Sequence, residues 1–509
     1  MARAARVITL LALRNLAHRP LRSLFLLFGY SLGVGVMIVL LAIGQAMLTQ
    51  ARDEKLVGGG QVTVLPEGLD IEVMKTGGIG GLFFSIANAR FIYRELLASP
   101  RLAREVATVA PQIDGKLLYL RAHDVEYSVR AAGEIPSHSA AVDALPPVIA
   151  GAWRDDDGDR RWATPTPREL YASIDHFHLP PKNVAHPESW AEWHYFNVLS
   201  ASGREWAFIS YIVGGDVRGT QWGGQIAVSV REQGGRTRRY TANVKRDQVH
   251  FSTDSADLTI GTSTVHLLDD GRYELKANAR ENGTGAPLTL NLIVTPAPNI
   301  LFPGGAIADC ADTDESCPFV SGYAVPALRA SATGSMCIAG ACEQFDDAQS
   351  YHDHNWGVWH GVSWDWGATR AGAYTLLYGR VAPPDSAGNT QPFFVYLTDS
   401  LGFRALFRPH EIQYEDGRTI SVNGREVRVP SHAVMQDARG ADTLRIELAI
   451  EDAIGSDTRT SLIERGDASD AKRILKPYFI QMKGRATISG RVGGAPVSGT
   501  GTGFFETYR

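Results

Sequence analysis

The chain opens on its most one-sided stretch. From Ser23 to Met47 nearly every position is apolar, a run long enough for a membrane-crossing helix, which needs about 20 residues. Arg3, Arg6, Arg14, Arg19 and Arg22 precede it, while Arg52, Asp53, Glu54 and Lys55 follow with balanced charge. Arginine in excess on the N-terminal side keeps that end cytoplasmic and sends the rest of the chain outward. The run is long for the core of a cleaved signal peptide. An uncleaved single-pass anchor in the bacterial inner (cytoplasmic) membrane is therefore expected, with the bulk of the chain periplasmic.

Past residue 190 the pattern changes to short apolar-rich stretches broken by turns. Trp206–Val213, Gln225–Val230, Thr237–Val244, Gln248–Ser252, Asp257–Ile260, Thr264–Leu268 and Arg272–Asn278 read as strands. Turns such as Asp269-Asp270-Gly271 and Glu232-Gln233-Gly234-Gly235 separate them. A second series follows: Tyr374–Val381, Phe393–Thr398, Thr419–Val422, Thr443–Ile450 and Ala486–Val492. Each series suits an antiparallel meander or small barrel, and the glycine- and proline-rich stretch Pro296–Ser350 reads as a long insertion between them. Residues 56–150 are less regular. Gly77–Gly81 suggests a mobile loop, Phe91–Arg104 a helix carrying Leu96, Leu97 and Leu102, and Val106–Arg121 strands around a turn at Asp114-Gly115. The charge run Asp155–Arg161 reads as a solvated loop near a domain boundary.

One heptad concentrates chemistry: Tyr351-His352-Asp353-His354-Asn355-Trp356-Gly357. On a strand, Tyr351, Asp353 and Asn355 share one face and His352, His354 and Trp356 the other. Whichever face turns inward buries several polar groups, at about 1–3 kcal/mol each if unpaired. That implies either a pinning network or a binding or catalytic site. The heptad resembles the signature of the AttH-like and carotenoid 1,2-hydratase (hydroxyneurosporene synthase) proteins. Glu192-Trp193-His194-Tyr195, after the histidine- and proline-rich approach Asp175–Ser189, is similar to that family's opening strand. Gly501-Thr502-Gly503-Phe504-Phe505-Glu506 is similar to its closing strand.

This resemblance covers about residues 160–509 and implies a mainly β fold of two consecutive lipocalin-like antiparallel barrels. It places a first domain at 160–325 and a second, carrying the heptad, at 326–509. It also implies a hydrophobic ligand of isoprenoid or other lipid type. In the hydratase branch, water adds across an isolated double bond. Asp353 would then donate the proton, His354 would orient the acid or the water, and Tyr351 and Trp356 would face the cation. His352, Asn355, Trp359, Trp364, Trp193, Tyr195 and Tyr378 would line the ligand site, although Trp359, Trp364 and Trp366 read equally well as core packing. The hydratases place a second aspartate shortly after a tyrosine on the next strand. Here Tyr378 is followed by Gly379 and Arg380, and Glu192 is the expected substitute. The two functional readings are a carrier that holds its cargo in a barrel and an acid-catalysed hydratase, cyclase or isomerase.

Leu13-Arg14-Asn15-Leu16 and Arg19-Pro20-Leu21-Arg22 before the apolar run resemble the start of an FtsX/MacB-type ABC transporter permease. Gly58–Val64 and Pro66-Glu67-Gly68 are similar to the first strand of that family's extracytoplasmic core. Residues 1–55 then form a basic tail and anchor, residues 56–155 a permease-like segment or linker domain, and ABC transporter subunits become candidate partners. Such permeases carry four membrane helices and no second apolar run follows Met47, so the helix reads as an anchor.

All four cysteines, Cys310, Cys317, Cys337 and Cys342, lie in the expected insertion. An even cluster outside the cytoplasm suggests disulfides. Three pairings are open, the local one (Cys310–Cys317, Cys337–Cys342) being favoured, with a four-thiolate zinc site as competitor; the bonds would stiffen a flap near Tyr351. His352 and His354 on one strand face could begin a zinc or iron site, joined by His360, His194 or His178. The family resemblance implies no metal, and no cofactor is expected. A net charge of −5, with no basic stripe beyond the N-terminus, argues against nucleic acid. Serine-nucleophile, P-loop and Rossmann signatures are absent from the sequence.

Overall fold

The computed structural model describes residues 99–123, 125–142 and 153–509, apart from 204, 232–234, 236, 309–319, 360, 383–392 and 460–475. Before residue 99 it describes 14, 18–52, 62, 64 and 86–97. Two compact units result: residues 1–83 with 108–156, and residues 84–107 with 157–509.

In the first unit, α1 is the 33-residue helix Pro20–Arg52, about 50 Å long at 1.5 Å per residue. Its Pro20–Gly44 portion is long and apolar enough to cross a membrane, and none of its most apolar stretch is buried in the protein. The hairpin β1 (Gln112–Ala122) and β2 (Val125–Glu134) belongs to the same unit. The turn expected at Asp114-Gly115 is instead a register shift within β1, between Ile113 and Lys116, and the chain reverses after Ala122.

The second unit is β-rich. It opens with helix α2 (Ile86–Leu97), so the expected 56–155 segment divides between the two units. Short helices α3 (Pro136–Ala141, in the first unit), α4 (Asp157–Ala163) and α5 (Pro167–Ala172) follow in the chain. The charge run expected as a loop supplies the first turn of α4, whose Asp157 and Asp159 suit a helix N-terminus.

The first sheet contains β3 (Trp190–Leu199), β4 (Trp206–Gly215), β5 (Trp222–Arg231), β6 (Thr237–Lys245), β7 (Val249–Phe251), β8 (Leu258–Ile260), β9 (Ser263–Leu267), β10 (Tyr273–Glu281), β11 (Pro287–Pro296), β12 (Phe302–Ala308), β13 (Val320–Ile338) and β14 (Ala341–Val358). Eight of these close a barrel in the order β3-β4-β5-β6-β10-β11-β13-β14, with β14 returning to β3. The seam between β6 and β10 is short, only two residue pairs. Phe196, Ile209, Tyr211, Ile226, Tyr240 and Tyr273, all without exposure, fill the interior, each worth about 1.5–3 kcal/mol of burial. The barrel is therefore a packed core, and the cargo chamber expected inside it is occupied by side chains.

The second sheet contains β15 (Ser363–Ala371), β16 (Tyr374–Ala382), β17 (Phe394–Asp399), β18 (Gly402–Phe407), β19 (Gln413–Glu415), β22 (His432–Arg439), β23 (Asp442–Asp457), β24 (Tyr478–Val492) and β25 (Ala495–Tyr508). The hairpin β20 (Arg418–Val422) and β21 (Arg425–Val429) stands apart. This sheet stays open, a half-barrel ordered β18-β17-β16-β15-β25-β24-β23-β22-β19. The mainly β architecture of two consecutive antiparallel sheets matches the sequence expectation.

One boundary differs. The division expected between residues 325 and 326 falls inside β13, and the heptad lies on β14, paired with β3 and β13 in the first sheet. Much of the supposed insertion is thus barrel wall. Its sequence hid this because β13 buries Ala324, Ala327, Ala330 and Ala332, small side chains with little strand preference.

Candidate functional site

Strands β3 and β14 pair antiparallel, setting Glu192 opposite Trp356, Trp193 opposite Asn355, His194 opposite His354, Tyr195 opposite Asp353 and Phe196 opposite His352. Alternation then sends each pair to one side of the sheet. Glu192, His194, Phe196, His352, His354 and Trp356 project into the barrel. Trp193, Tyr195, Tyr351, Asp353 and Asn355 project outward, toward the second sheet. The face assignment read from the heptad holds. Its closing glycine is required by close approach: Gly357 has φ 145°, and a Cβ there would lie 2.3 Å from the Val320 carbonyl oxygen on β13.

The inward cluster is organised by Asp175, which the sequence reading passed over. Helix α5 carries a capping box in which Thr166 and Glu169 satisfy each other's backbone N–H. Just beyond it the Asp175 N–H donates to the Tyr171 carbonyl at 2.9 Å, and the Phe177 N–H to the Ser252 carbonyl at 3.0 Å. The segment is thereby pinned with the Asp175 carboxylate inside the barrel. Its Oδ2 accepts from Tyr273 Oη–H at 2.7 Å and from His352 Nε2 at 2.9 Å. Its Oδ1 accepts from His354 Nδ1 at 2.8 Å. His194 Nδ1 lies 3.2 Å from the same Oδ1, out of line for a hydrogen bond.

On the far side of His354, Nε2 lies 2.9 Å from Glu192 Oε1, also off the hydrogen-bond line. Glu192 accepts from the His178 backbone N–H and lies 2.9 Å from its Nδ1. The His178 ring stacks on Trp356 at 3.8 Å. Burial would raise the Asp175 carboxyl, but the imidazoles of His194 and His352 outweigh it and hold the group well below the usual carboxylate range. Glu192 is pushed well above its ordinary value by burial and by the charge of Asp175. Burial lowers His354 to about 3 and His178 to about 2. A carboxylate at Asp175 and neutral imidazoles at His178 and His354 thus share the barrel interior at neutral pH.

The outward cluster is different in kind. Asp353 is 3% exposed. Its Oδ2 accepts from Tyr351 Oη–H at 2.7 Å, its Oδ1 from Asn355 Nδ2 at 2.7 Å, and Trp366 Nε1–H donates to Tyr351 Oη at 2.9 Å. From the second sheet comes Glu506. Its Oε2 accepts from Trp364 Nε1–H at 2.9 Å and its Oε1 from Gln481 Nε2 at 3.1 Å. Burial raises Asp353 to about 6. Burial, reinforced by the charge of Asp353, raises Glu506 to about 7. Glu506, Asn355, Trp193, Trp359 and Trp364 are partly accessible, so this face meets solvent. Trp193 lies 4.6 Å from Trp359 and 6.3 Å from Trp364 between ring centroids. Buried beside them are Tyr195, Phe208, Tyr323, Trp366, Phe394 and Phe504.

The expected site is thereby divided. Asp353, Tyr351 and Asn355 stand together with Trp193, Tyr195, Trp359 and Trp364. His352, His354, Trp356 and Glu192 lie on the opposite side of the sheet. His354 therefore does not orient Asp353, because adjacent strand residues point apart. Glu192 does not replace the missing carboxylate for the same reason; Glu506 stands near Asp353 instead. Tyr378 is in the second sheet's own core, its ring against Phe505 at 6.1 Å between centroids. The acid absent after Tyr378 has no room there: a Cβ on Gly379 would stand 2.4 Å from the Trp366 ring. Glu506 was readable as the one carboxylate of the closing strand, and Asp175 as the acid that opens a histidine-rich approach.

The Cys337–Cys342 disulfide is present, whereas Cys310, Cys317 and His360 lie outside the described residues. The bond staples the tip of the β13–β14 hairpin, where Cys337 and Cys342 are register partners. Tyr351 is nine residues further along the strand, about 30 Å at 3.4 Å per residue, so the bond stiffens no flap over the heptad.

Protein-family models and curated protein sequences give no match to this chain. Among solved structures, a candidate AttH from Nitrosomonas europaea is similar at 15% identity over 66% of this chain and 98% of that one, with a TM-score of 0.42. Kievitone hydratase from Nectria haematococca is similar at 14% identity over 66% and 94%, TM-score 0.38. CghA with Sch210972 is similar at 13% identity over 66% and 95%, TM-score 0.38. The likeness is one of chain course and says nothing of chemistry. The permease resemblance of the N-terminus has no support among these matches.

Proposed function

We propose that this protein binds a hydrophobic, isoprenoid-type molecule on the ring-lined face between the two sheets and adds water to it by acid catalysis. One observation carries the reading: two carboxyls, Asp353 and Glu506, sit among indole and phenol rings and titrate near neutrality. Between about pH 6 and 7 the pair holds one proton. Glu506, which keeps its proton to higher pH, donates it to an alkene carbon, and Asp353, the donor expected from the sequence, acts as the base. The electron pair of the double bond forms the new C–H bond and leaves a carbocation, which the aromatic faces stabilise by about 0.5–2 kcal/mol each. Asp353 takes a proton from water as the water oxygen bonds to the cation. Solvent then returns the proton to Glu506. The net change is one water added; loss of a proton from the cation instead gives isomerisation, and attack of a second double bond of the same chain on the cation before that loss gives cyclisation.

Ligand carriage is the second reading, favoured by the partly accessible tryptophans Trp193, Trp359 and Trp364 on this same face. Asp353→Asn and Glu506→Gln separate the two. An enzyme keeps binding but loses turnover by about 10²–10⁴-fold, the usual worth of a positioned acid or base; a carrier shows no turnover in any form. The N-terminal helix supplies a membrane anchor, and the disulfide supports an oxidising compartment, with the inner membrane and periplasm as the reading that fits both. Partnership with ABC transporter subunits rests on the sequence of residues 1–68 and is tested by co-purification from detergent-solubilised membranes.

A further inference from the structure

The inward cluster has no part in the proposed chemistry, yet it is the most concentrated set of ligating atoms among the described residues. We propose that it is a metal site, in which Asp175 Oδ1, His194 Nδ1 and His354 Nδ1 hold one divalent first-row cation.

Three observations support the assignment. First, the donor atoms converge. His354 Nδ1 and His194 Nδ1 lie 2.8 and 3.2 Å from Asp175 Oδ1, and one ligating atom from each of the three residues falls within 4.8 Å of the other two. Donors around a tetrahedral Zn²⁺ at about 2.0–2.1 Å stand only slightly further apart. Second, His194 is fully buried, and its Nδ1 meets Asp175 Oδ1 only at 3.2 Å and out of line for a well-formed hydrogen bond. It lies beside the Asp175 oxygen that also accepts from His354 Nδ1–H, a proton that would leave on metal binding. A bound ion would give the His194 ring nitrogen a full partner.

Third, the surrounding groups are those a metal site requires. Glu192 Oε1 lies 2.9 Å from His354 Nε2, which places a carboxyl on the far side of the ligating ring, where a small turn of the ring would bring Nε2–H onto it. The other oxygen of Asp175 is held by Tyr273 and His352, which fixes the ligating oxygen. The donor set of two imidazoles and one carboxylate suits Zn²⁺ and disfavours Ca²⁺ or Mg²⁺, which take oxygen ligands. The ion would join the segment after α5 to β3 and β14, bracing the wall whose outer face carries Asp353.

The test uses the full chain in detergent, without a histidine tag. Metal content is measured by mass spectrometry as isolated, and again after chelation and addition of Zn²⁺ or Co²⁺. One equivalent of metal is expected, with visible Co²⁺ bands of tetrahedral nitrogen–oxygen coordination and a lower melting temperature after chelation. His194→Gln should weaken binding at least tenfold, while Glu506→Gln should leave it unchanged. Absence of metal as isolated, no uptake of either ion and a melt indifferent to chelation would leave a hydrogen-bonded network only and overturn the proposal. Wild-type affinity in His194→Gln, or a thiolate charge-transfer band with Co²⁺, would also overturn it by placing the ion elsewhere. If His194→Gln does not fold, the wild-type stoichiometry and Co²⁺ spectrum decide.

Discussion

A carboxyl among aromatic rings keeps its proton to higher pH than one in water, and this gives Asp353 two measurable signatures. The first is in stability. The unfolded chain ionises this group near its model value of 3.8 and the folded chain at about 6. The folded state binds the proton more tightly, so the contribution is full below about pH 4 and is lost as pH rises through 6, about 3 kcal/mol in all. Asp353→Asn should therefore unfold at higher denaturant than wild type at pH 8, with the advantage gone at pH 4. A variant less stable at pH 8 would mean that the buried carboxylate is well satisfied and the pKa not raised. The second signature is in rate. Turnover should fall below about pH 6 as Asp353 takes a proton and above about pH 7 as Glu506 loses one. A profile flat from pH 5 to 8 would remove both groups from the chemistry. At this scale the alternation of faces along the heptad was legible, because strand geometry alone fixes it. The partnership of Asp353 with Glu506 was not, since it depends on how two sheets meet across more than 150 positions of chain.

The long hairpin β13–β14 shows what a single element contributes. Its register shifts near Ala327 and Ala332 bend the wall, and its far end carries the heptad. The Cys337–Cys342 bond closes a loop of five residues, which the chain-entropy relation values at about 2 kcal/mol. Replacing both cysteines by serine should lower the melting temperature by a few degrees and leave turnover and ligand affinity unchanged, given the distance to Asp353. A loss of activity in a variant that stays folded would show that the hairpin tip reaches the site. The hairpin itself was hard to read: alanine, glycine and serine carry little strand preference, and only their pairing across the barrel makes this segment a wall. The Val-, Ile- and Tyr-rich strands β4–β6 were legible for the opposite reason.

For the whole molecule, an exposed apolar helix of 25 residues predicts integral membrane attachment. The full chain should remain in the membrane pellet after an alkaline carbonate wash; release into the supernatant would make the association peripheral. The long apolar helix was the plainest feature of the sequence, since apolar length alone specifies it. The open second sheet was not legible, because closure depends on pairing that local pattern does not encode. The central claim, a proton delivered from Glu506 to carbon beside Asp353, is tested most directly with the full chain in lipid vesicles made from an isoprenoid-rich bacterial extract in D₂O. Mass spectrometry of the recovered lipids should show a time-dependent product carrying non-exchangeable deuterium with the wild type and none with Glu506→Gln or Asp353→Asn. Lipids recovered unlabelled and unchanged with the wild type would contradict catalysis and leave a ligand carrier.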